Sequence, residues 1–145
     1  MLKTHSYTRR VSIGLWILQG LLAAFFALGS GAPKLLLPAE TLPMPIPLPQ
    51  AFVWFIGTCE VLGALGLILP GLLRIRPGLT VAAAVALVLL TICAATYQLL
   101  GGQPESALFA LVIGVLAAGV AYGRWRLAPS TQTRGQRGVP SPAGA

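Results

Sequence analysis

The sequence predicts an all-α integral membrane protein, a four-helix bundle with both termini in the cytoplasm. Hydrophobic residues make up 56% of the 145 residues, charged residues only 9%, and the mean hydropathy is +0.82. A soluble domain has about 25% charged residues, so this chain lacks the polar groups to cover a water-exposed surface. Its length accommodates four spans of about 20 residues each with short connections. These observations leave one membrane domain and no room for a separate soluble enzyme.

Four apolar segments define the predicted membrane domain, which covers residues 11–126. Spans are predicted at residues 11–31, 51–70, 79–100 and 107–123. The first apolar run has about 20 residues, whereas the apolar region of a cleavable signal peptide has about 7–15, so we expect this run to be retained as a span. Residues 1–10 form a short basic N-terminal segment. Residues 127–145, which are rich in Arg, Gly, Pro and Ser, predict a disordered cytoplasmic tail.

The longest predicted connection, residues 32–50, is rich in proline. Prolines at positions 38, 43, 45, 47 and 49 exclude an ordinary helix and favour an extended, polyproline-like path. Apolar residues alternate with these prolines, so the segment is predicted to lie along the membrane interface or to fold over the mouth of the bundle. A passive interfacial connection is favoured over a functional lid.

The basic residues are distributed asymmetrically about the four predicted spans. Of the ten, only Lys34 falls on one side; the other nine are Lys3, Arg9, Arg10, Arg74, Arg76, Arg124, Arg126, Arg134 and Arg137. The positive-inside rule places those nine in the cytoplasm, in a multi-pass protein of the cell membrane, which is the inner membrane if the source is bacterial. The net charge of +7 is thereby explained by topology. We expect membrane lipids as partners, and no nucleic acid.

Glu60 stands near the middle of the second predicted span. A carboxylate at that depth costs a few kcal/mol to insert, so such residues usually face other helices or water. Gly57, Gly63 and Ala64 share its helical face, at i−3, i+3 and i+4. This small face predicts close approach of a neighbouring helix and an enclosed carboxylate. The two interpretations are a buried acid that only fixes packing and a group that serves a ligand or a proton.

Four further residues complete the predicted polar site. Lys34, Tyr97 and Gln98 are expected near the outer boundary of the membrane, and Glu60 about 13 Å below it. A lysine in this position normally extends outward to water, so a direct pair with Glu60 requires Lys34 to turn inward. Gln19, on the first span, is a further candidate donor, although an interhelical hydrogen bond is favoured over a ligand contact.

Cys59 and Cys93 are predicted at similar depths in two neighbouring spans, within about 3 Å of each other along the membrane normal. They form a candidate redox pair if their helical faces meet. The favoured alternative is that each packs as a small hydrophobe. No metal site is predicted, because His5 is the only histidine and lies outside the bundle.

Two motifs resemble those of the DoxX-like membrane proteins. GAPKLL at residues 31–36 is similar to the GxxKL signature, and GTCEVLGALGLILPG at residues 57–71 is similar to GxxExxGxxxLxxP. The resemblance covers roughly Gly14 to Arg126 and implies the same four-span layout. It carries over six family positions: Gly31, Lys34, Gly57, Glu60, Gly63 and Pro70. Such proteins often have a histidine near the end of the third span, where this chain has Tyr97.

The resemblance implies several functions. The family name comes from association with a terminal quinol oxidase, and some members are linked to redox or thiol-stress complexes. The fold is similar to that of four-helix membrane proteins that bind sterols or other lipophiles. The leading hypothesis is a polar intramembrane site that binds a lipophilic or quinone-like molecule, or a membrane or redox partner protein, in which case the chain acts as a subunit of a membrane redox complex. The alternatives are a purely structural membrane subunit and a membrane oxidoreductase or isomerase. The sequence assigns no cofactor and leaves open whether the protein is an enzyme.

The predicted orientation is tested with topology reporters fused at three positions. Fusions after Arg76 and after Arg126 are expected to read as cytoplasmic, and a fusion after Ala39 as external, because nine of the ten basic residues lie on one side. An external signal from the fusion after Arg126 would contradict both the number of spans and their orientation.

Overall fold

The computed structural model describes residues 2–76 and 78–127, and this part of the chain is entirely helix, turn and connection. Four helices are long and apolar enough to cross a membrane: Tyr7–Leu36, Gln50–Leu72, Gly78–Leu100 and Pro104–Leu127. The predicted all-α architecture with four candidate spans is confirmed. The predicted disorder of residues 127–145 falls, beyond Leu127, outside the described residues.

The first candidate span is built from three consecutive helical segments. These are α1 (Leu2–Ala24), a π-helix (Phe25–Gly31) and α2 (Ala32–Leu36). A 3₁₀ turn follows at Ala39–Thr41, and the remaining spans are α3 (Gln50–Leu72), α4 (Gly78–Leu100) and α5 (Pro104–Leu127). We call the end of the bundle that carries residues 37–49 and 101–103 the loop end, and the opposite end, which carries Arg74, Arg76, Arg124 and Arg126, the basic end.

The helices extend further than the apolar segments predicted. The first span continues past Pro33 to Leu36, and α3 continues past Pro70. The apolar segment 107–123 covers only part of α5, which has 24 residues against 23 in α3 and in α4. Pro104 begins α5, where a missing N–H costs nothing because the first turn has no partner for it. Hydropathy marks the hydrocarbon-spanning part of a helix and not its ends.

The π-helix is what carries the first span past Pro33. The Ala32 N–H donates to the Ala27 carbonyl, five residues earlier, instead of four as in an α-helix. In a regular α-helix the proline ring would press on the carbonyl of Gly29, and the wider π turn relieves this crowding. The sequence predicts that the first span ends at residue 31 and that a connection begins at residue 32. In the structure the helix widens in this segment and then continues to Leu36.

The bundle core is apolar and lies between α1 and the later helices. Its buried members include Leu22, Phe26, Leu67, Leu87 and Val120. The outward faces are also apolar, with exposed side chains such as Leu21, Phe55, Leu62, Leu89 and Val115. Soluble monomers rarely expose apolar patches of more than a few hundred Å², so this surface requires lipid.

Small residues bring the helices close together. A Cβ added at Gly63 would lie 2.6 Å from a methyl group of Leu87, and one added at Gly66 would lie 2.7 Å from the Cβ of Ala83. These two contacts set the spacing between α3 and α4. Gly63 lies on the face of α3 that also carries Glu60, and Gly57, Gly63 and Ala64 are all buried, so the predicted small face is packed against its neighbours.

The proline-rich connection is attached to the end of α4, on the opposite side of the loop end from the first span. The Tyr97 hydroxyl on α4 donates to the Ile46 carbonyl and accepts from the Ile46 N–H, the latter at 3.2 Å. Pro45 packs against Gly101, just after α4. Nearer the first span, the Ala39 N–H donates to the Gln50 side chain at 2.6 Å. The connection therefore crosses the loop end from α2 to α4 before it enters α3.

The close crossing of the first span over α3 predicts that Gly31→Ala destabilises the bundle. The new Cβ would lie 2.8 Å from the Val61 side chain and 3.2 Å from the Gly57 carbonyl oxygen on α3, and 2.7 Å from the Phe26 carbonyl oxygen of its own span; backbone atoms cannot move as a flexible side chain can. We expect a loss of about 1–3 kcal/mol in the free energy of unfolding, measured in mixed micelles.

Gly20→Ala is the matched control on the same span, because a Cβ there meets nothing within 4 Å. It should be neutral or stabilising by up to about 1 kcal/mol, since glycine lowers helix stability. Equal losses in the two variants would contradict the close crossing at Gly31.

Candidate functional site

The site forms where the first span crosses α3 near the loop end. Gly31 and Gly57 face each other there: a Cβ on Gly57 would lie 3.1 Å from the Gly31 carbonyl oxygen and 3.0 Å from the Cβ of Lys34. This proximity of the two backbones leaves Lys34 directly beside α3. Glu60 lies one turn further along α3, on the same face as Gly57.

Ser30, Lys34 and Glu60 form one hydrogen-bonded cluster, which we call the Ser30–Lys34–Glu60 site. The Lys34 ammonium lies 2.8 Å from Glu60 Oε2 and 2.9 Å from Glu60 Oε1. The Ser30 hydroxyl donates to Glu60 Oε1 at 2.9 Å. Lys34 also donates to Ser30 Oγ at 2.6 Å and contacts the Ser30 carbonyl oxygen at 3.3 Å. Both oxygens of the carboxylate therefore have partners.

The two charges differ in exposure. The side chain of Glu60 is 8% exposed, whereas that of Lys34 is 26% exposed. An isolated charge in an apolar surrounding is costly, and a close, hydrogen-bonded partner of opposite sign offsets that cost. The site is neutral as a whole, closed around the carboxylate and partly open at the ammonium.

Lys34 turns inward, contrary to the orientation that a lysine normally takes near a membrane boundary. The reason is that the helix continues through the π segment, so that Lys34 lies one turn after Ser30 and on the face that contacts α3. Had the helix ended at Gly31, the side chain would have been in a connection with free access to water. The structure thus contains the direct pair of Lys34 with Glu60 that required an inward lysine.

Ser30 is the member that sequence reasoning did not include in the site. A signal was present, because Ser30 precedes Lys34 by four residues and such pairs share a helix face. That spacing identifies a contact only if the segment is helical through Pro33. The proline and glycines of this segment instead favoured the end of the helix before Lys34.

Gln19 lies well away from the other candidate residues, towards the basic end. It is fully buried, its amide donates to the Leu67 carbonyl on α3 at 2.5 Å, and it accepts from Arg124 Nε on α5 at 2.6 Å. The Arg124 guanidinium also lies 5.1 Å from the centre of the Trp16 ring. Eleven residues separate Gln19 from Ser30, about 16 Å along a helix. The structure therefore makes Gln19 an interhelical link, the interpretation that the sequence favoured.

Tyr97 and Gln98 are on α4 at the loop end, and no hydrogen bond in the described part of the chain joins either to Glu60. The Tyr97 hydroxyl is engaged with the backbone of Ile46. Gln98 Oε1 is buried and lacks a partner among the described residues. Their place in the polar site remains a prediction.

The cysteines and the acidic residues assemble no further cluster. Cys59 is half-buried, Cys93 is exposed on α4, and both are free thiols. Their function as a redox pair stays a prediction. Within residues 2–76 and 78–127, no group of three or more His, Cys, Asp or Glu side chains is placed to hold a metal ion.

The fold and the site define a multi-pass α-helical membrane protein with an ion pair between its first two candidate spans. The chain belongs to the DoxX-like family, whose model matches residues 17–120. The matched region includes Ser30, Lys34 and Glu60 and ends within α5. No curated protein and no solved structure matches the chain.

The geometry predicts unequal effects when the charges are removed singly. Lys34→Met leaves an enclosed carboxylate without its cation, so we expect a loss on the order of 3 kcal/mol in unfolding free energy. Glu60→Leu should cost less, because the lysine is 26% exposed and can extend to water at the loop end. The double variant Lys34→Met/Glu60→Leu should return close to the parent value, since apolar replacement of both partners is often neutral.

Arg9→Met is the matched control, because Arg9 is exposed on α1 and its loss changes the net charge in the same way as Lys34→Met. It should change stability by no more than about 0.5 kcal/mol. Additive losses in the double variant would show that the two charges do not stabilise each other.

Proposed function

We propose that this DoxX-like membrane protein binds a lipophilic molecule with a polar carbonyl or hydroxyl head, a quinone-like compound being the leading candidate. The head group would approach the Ser30–Lys34–Glu60 site at the loop end, and the apolar remainder would lie against the bundle or in lipid. Lys34 would donate to the ligand, while Glu60 would hold the ammonium in place.

The unequal exposure of the two charges is the observation that supports this proposal. A pair kept only for packing is poorly suited to a membrane, because apolar side chains of similar volume usually stabilise as well or better. Ionisable residues within spans are accordingly functional by default. Here the carboxylate is 8% exposed and the ammonium 26%, so the group that can donate a hydrogen bond is also the accessible one.

The ammonium can bind a ligand without breaking the ion pair. Its three N–H groups are shared among four oxygens, of which three lie within 2.9 Å, while the Ser30 carbonyl is 3.3 Å away. That longest contact is the weakest of the four. A ligand oxygen replacing it would gain a charge-assisted hydrogen bond, and Glu60 would keep both of its contacts to Lys34.

A purely structural role is the second candidate, and one observation favours it. Both oxygens of Glu60 are already satisfied by Lys34 and Ser30, at the crossing where Gly31 meets Gly57. The same contacts would serve to fix the register of the first span against α3. This role and ligand binding predict different behaviour for the double variant that lacks both charges.

The decisive measurement uses Lys34→Met/Glu60→Leu together with Glu60→Gln. If the site binds a ligand, the double variant keeps its stability but loses lipophiles that copurify with the parent, identified by mass spectrometry. It should also lose the thermal stabilisation that the parent shows with decylubiquinone as a probe. Glu60→Gln, which retains the shape but removes the charge, should weaken binding by about tenfold, the effect of losing one charge-assisted interaction.

Arg9→Met, with its exposed arginine removed, should bind the probe like the parent. A parent that copurifies no lipophile and gains no stability with decylubiquinone would leave the structural role standing. Undiminished binding by the double variant would place the ligand elsewhere on the protein.

A further inference from the structure

We infer that the protein carries a second binding site, at the basic end, for an anionic phospholipid. One acyl chain would lie in the groove between α4 and α5, and the phosphate would bind Arg126. This inference is independent of the function proposed for the Ser30–Lys34–Glu60 site, which lies near the opposite end of the bundle.

The groove has the size and the lining of a lipid site. It is an open groove of about 440 Å³ between the first half of α4 and the second half of α5, and several of the side chains that line it, among them Leu89 and Trp125, are exposed. Ligand pockets commonly measure about 300–1,000 Å³. Val81 and Leu89 mark its extent along α4, about 12 Å at the rise of an α-helix. This length accommodates the part of an acyl chain nearest its head group.

Small side chains make the groove. Ala118 and Ala121 on α5 lie opposite the valines of α4, so the two helices leave a channel where larger side chains would have filled it. Elsewhere the outward surface carries large apolar side chains, such as Leu108, Val112 and Val115 on the same helix. The groove is thus a local recess in an otherwise bulky apolar surface.

A cation is fixed at the rim of the groove. Tyr122 lines the groove, and Arg126 Nε donates to its hydroxyl at 3.0 Å, with the guanidinium 5.2 Å from the ring centre. This contact uses one of the five N–H donors of the guanidinium. The terminal nitrogens are the ones that bind phosphate in paired hydrogen bonds. Trp125, the other aromatic residue of the rim, is typical of head-group depth.

Charge favours a phospholipid over a second copy of the chain as the occupant. Two copies inserted in the same orientation would bring their basic ends together at one depth, where Arg126 and its neighbours repel. The side of a membrane that attracts arginine-rich ends is the one with anionic lipids, because their negative surface potential stabilises basic residues that lie near the surface. Arg124 is not the phosphate contact, because its guanidinium lies against Gln19 and Trp16, neither of which lines the groove.

The test counts phospholipids retained by the full-length protein. The protein is incubated with vesicles of phosphatidylcholine and phosphatidylglycerol in equal amounts, extracted gently and analysed by native mass spectrometry. We expect the parent to retain phosphatidylglycerol selectively. Arg126→Gln should lower that retention by about tenfold, as expected for loss of a charge-assisted contact. Ala118→Phe should lower it similarly by filling the groove, and because Ala118 is exposed it leaves the core intact.

Arg10→Gln is the matched control, since it removes one exposed arginine from α1, which has no part in the groove. It should leave retention unchanged. Equal loss in Arg10→Gln and Arg126→Gln, or equal retention of both lipids by the parent, would overturn the inference. So would a cross-linked dimer that Ala118→Phe abolishes while phosphatidylglycerol retention stays constant. Decylubiquinone binding, followed in the same samples, reports separately on the Ser30–Lys34–Glu60 site.

Discussion

The ion pair between Lys34 and Glu60 is the interaction around which the first half of the bundle is arranged. Two opposite charges in an apolar surrounding must lie within hydrogen-bond distance, here 2.8 Å, and this requires the first span and α3 to approach closely. Gly31 and Gly57 allow that approach, and the π-helix brings Lys34 round to α3. Ser30 supplies the remaining donor to the carboxylate. Each local departure from a regular helix in this region serves the same contact.

Polar contacts of this kind matter more here than in a soluble bundle. Lipid competes with helices for apolar side chains, so burial alone does not hold the spans together; small residues and hydrogen bonds between helices fix their arrangement. The chain has such contacts at both ends of the bundle. At the basic end, Gln19 joins α1 to α3 and α5, and at the loop end Tyr97 holds the connection that leads into α3. These hydrogen bonds hold α1 against α3 and α5 at the basic end, and they hold the proline-rich connection against α4 at the loop end.

Composition was sufficient to predict the membrane class and the four spans, because few soluble chains are so poor in charge. Glu60 and the small residues on its helical face could also be predicted from the sequence. A single carboxylate within an apolar segment is easily recognised, and helical periodicity identifies the residues that share its face. The direction of Lys34 could not be predicted, because it depends on the π-helix that carries the first span past Pro33, and the periodicity of apolar residues does not reveal such a local widening. For the same reason Ser30 was missed. Gln19 shares the first span with Lys34, but only the structure shows that it is about three helical turns away from the site.

The position of the two charges within their helices also bears on the order in which the chain enters the membrane. Lys34 is two residues from the end of the first span, so its ammonium can reach water while that span is alone in the bilayer. Glu60 is in the middle of α3 and has no such route. Because synthesis proceeds from the N-terminus, the first span with Lys34 is inserted before α3. The Glu60 carboxylate can therefore pair with the Lys34 ammonium as soon as α3 enters the membrane. The reverse arrangement would oblige the first helix to carry an unpaired acid until its partner was made.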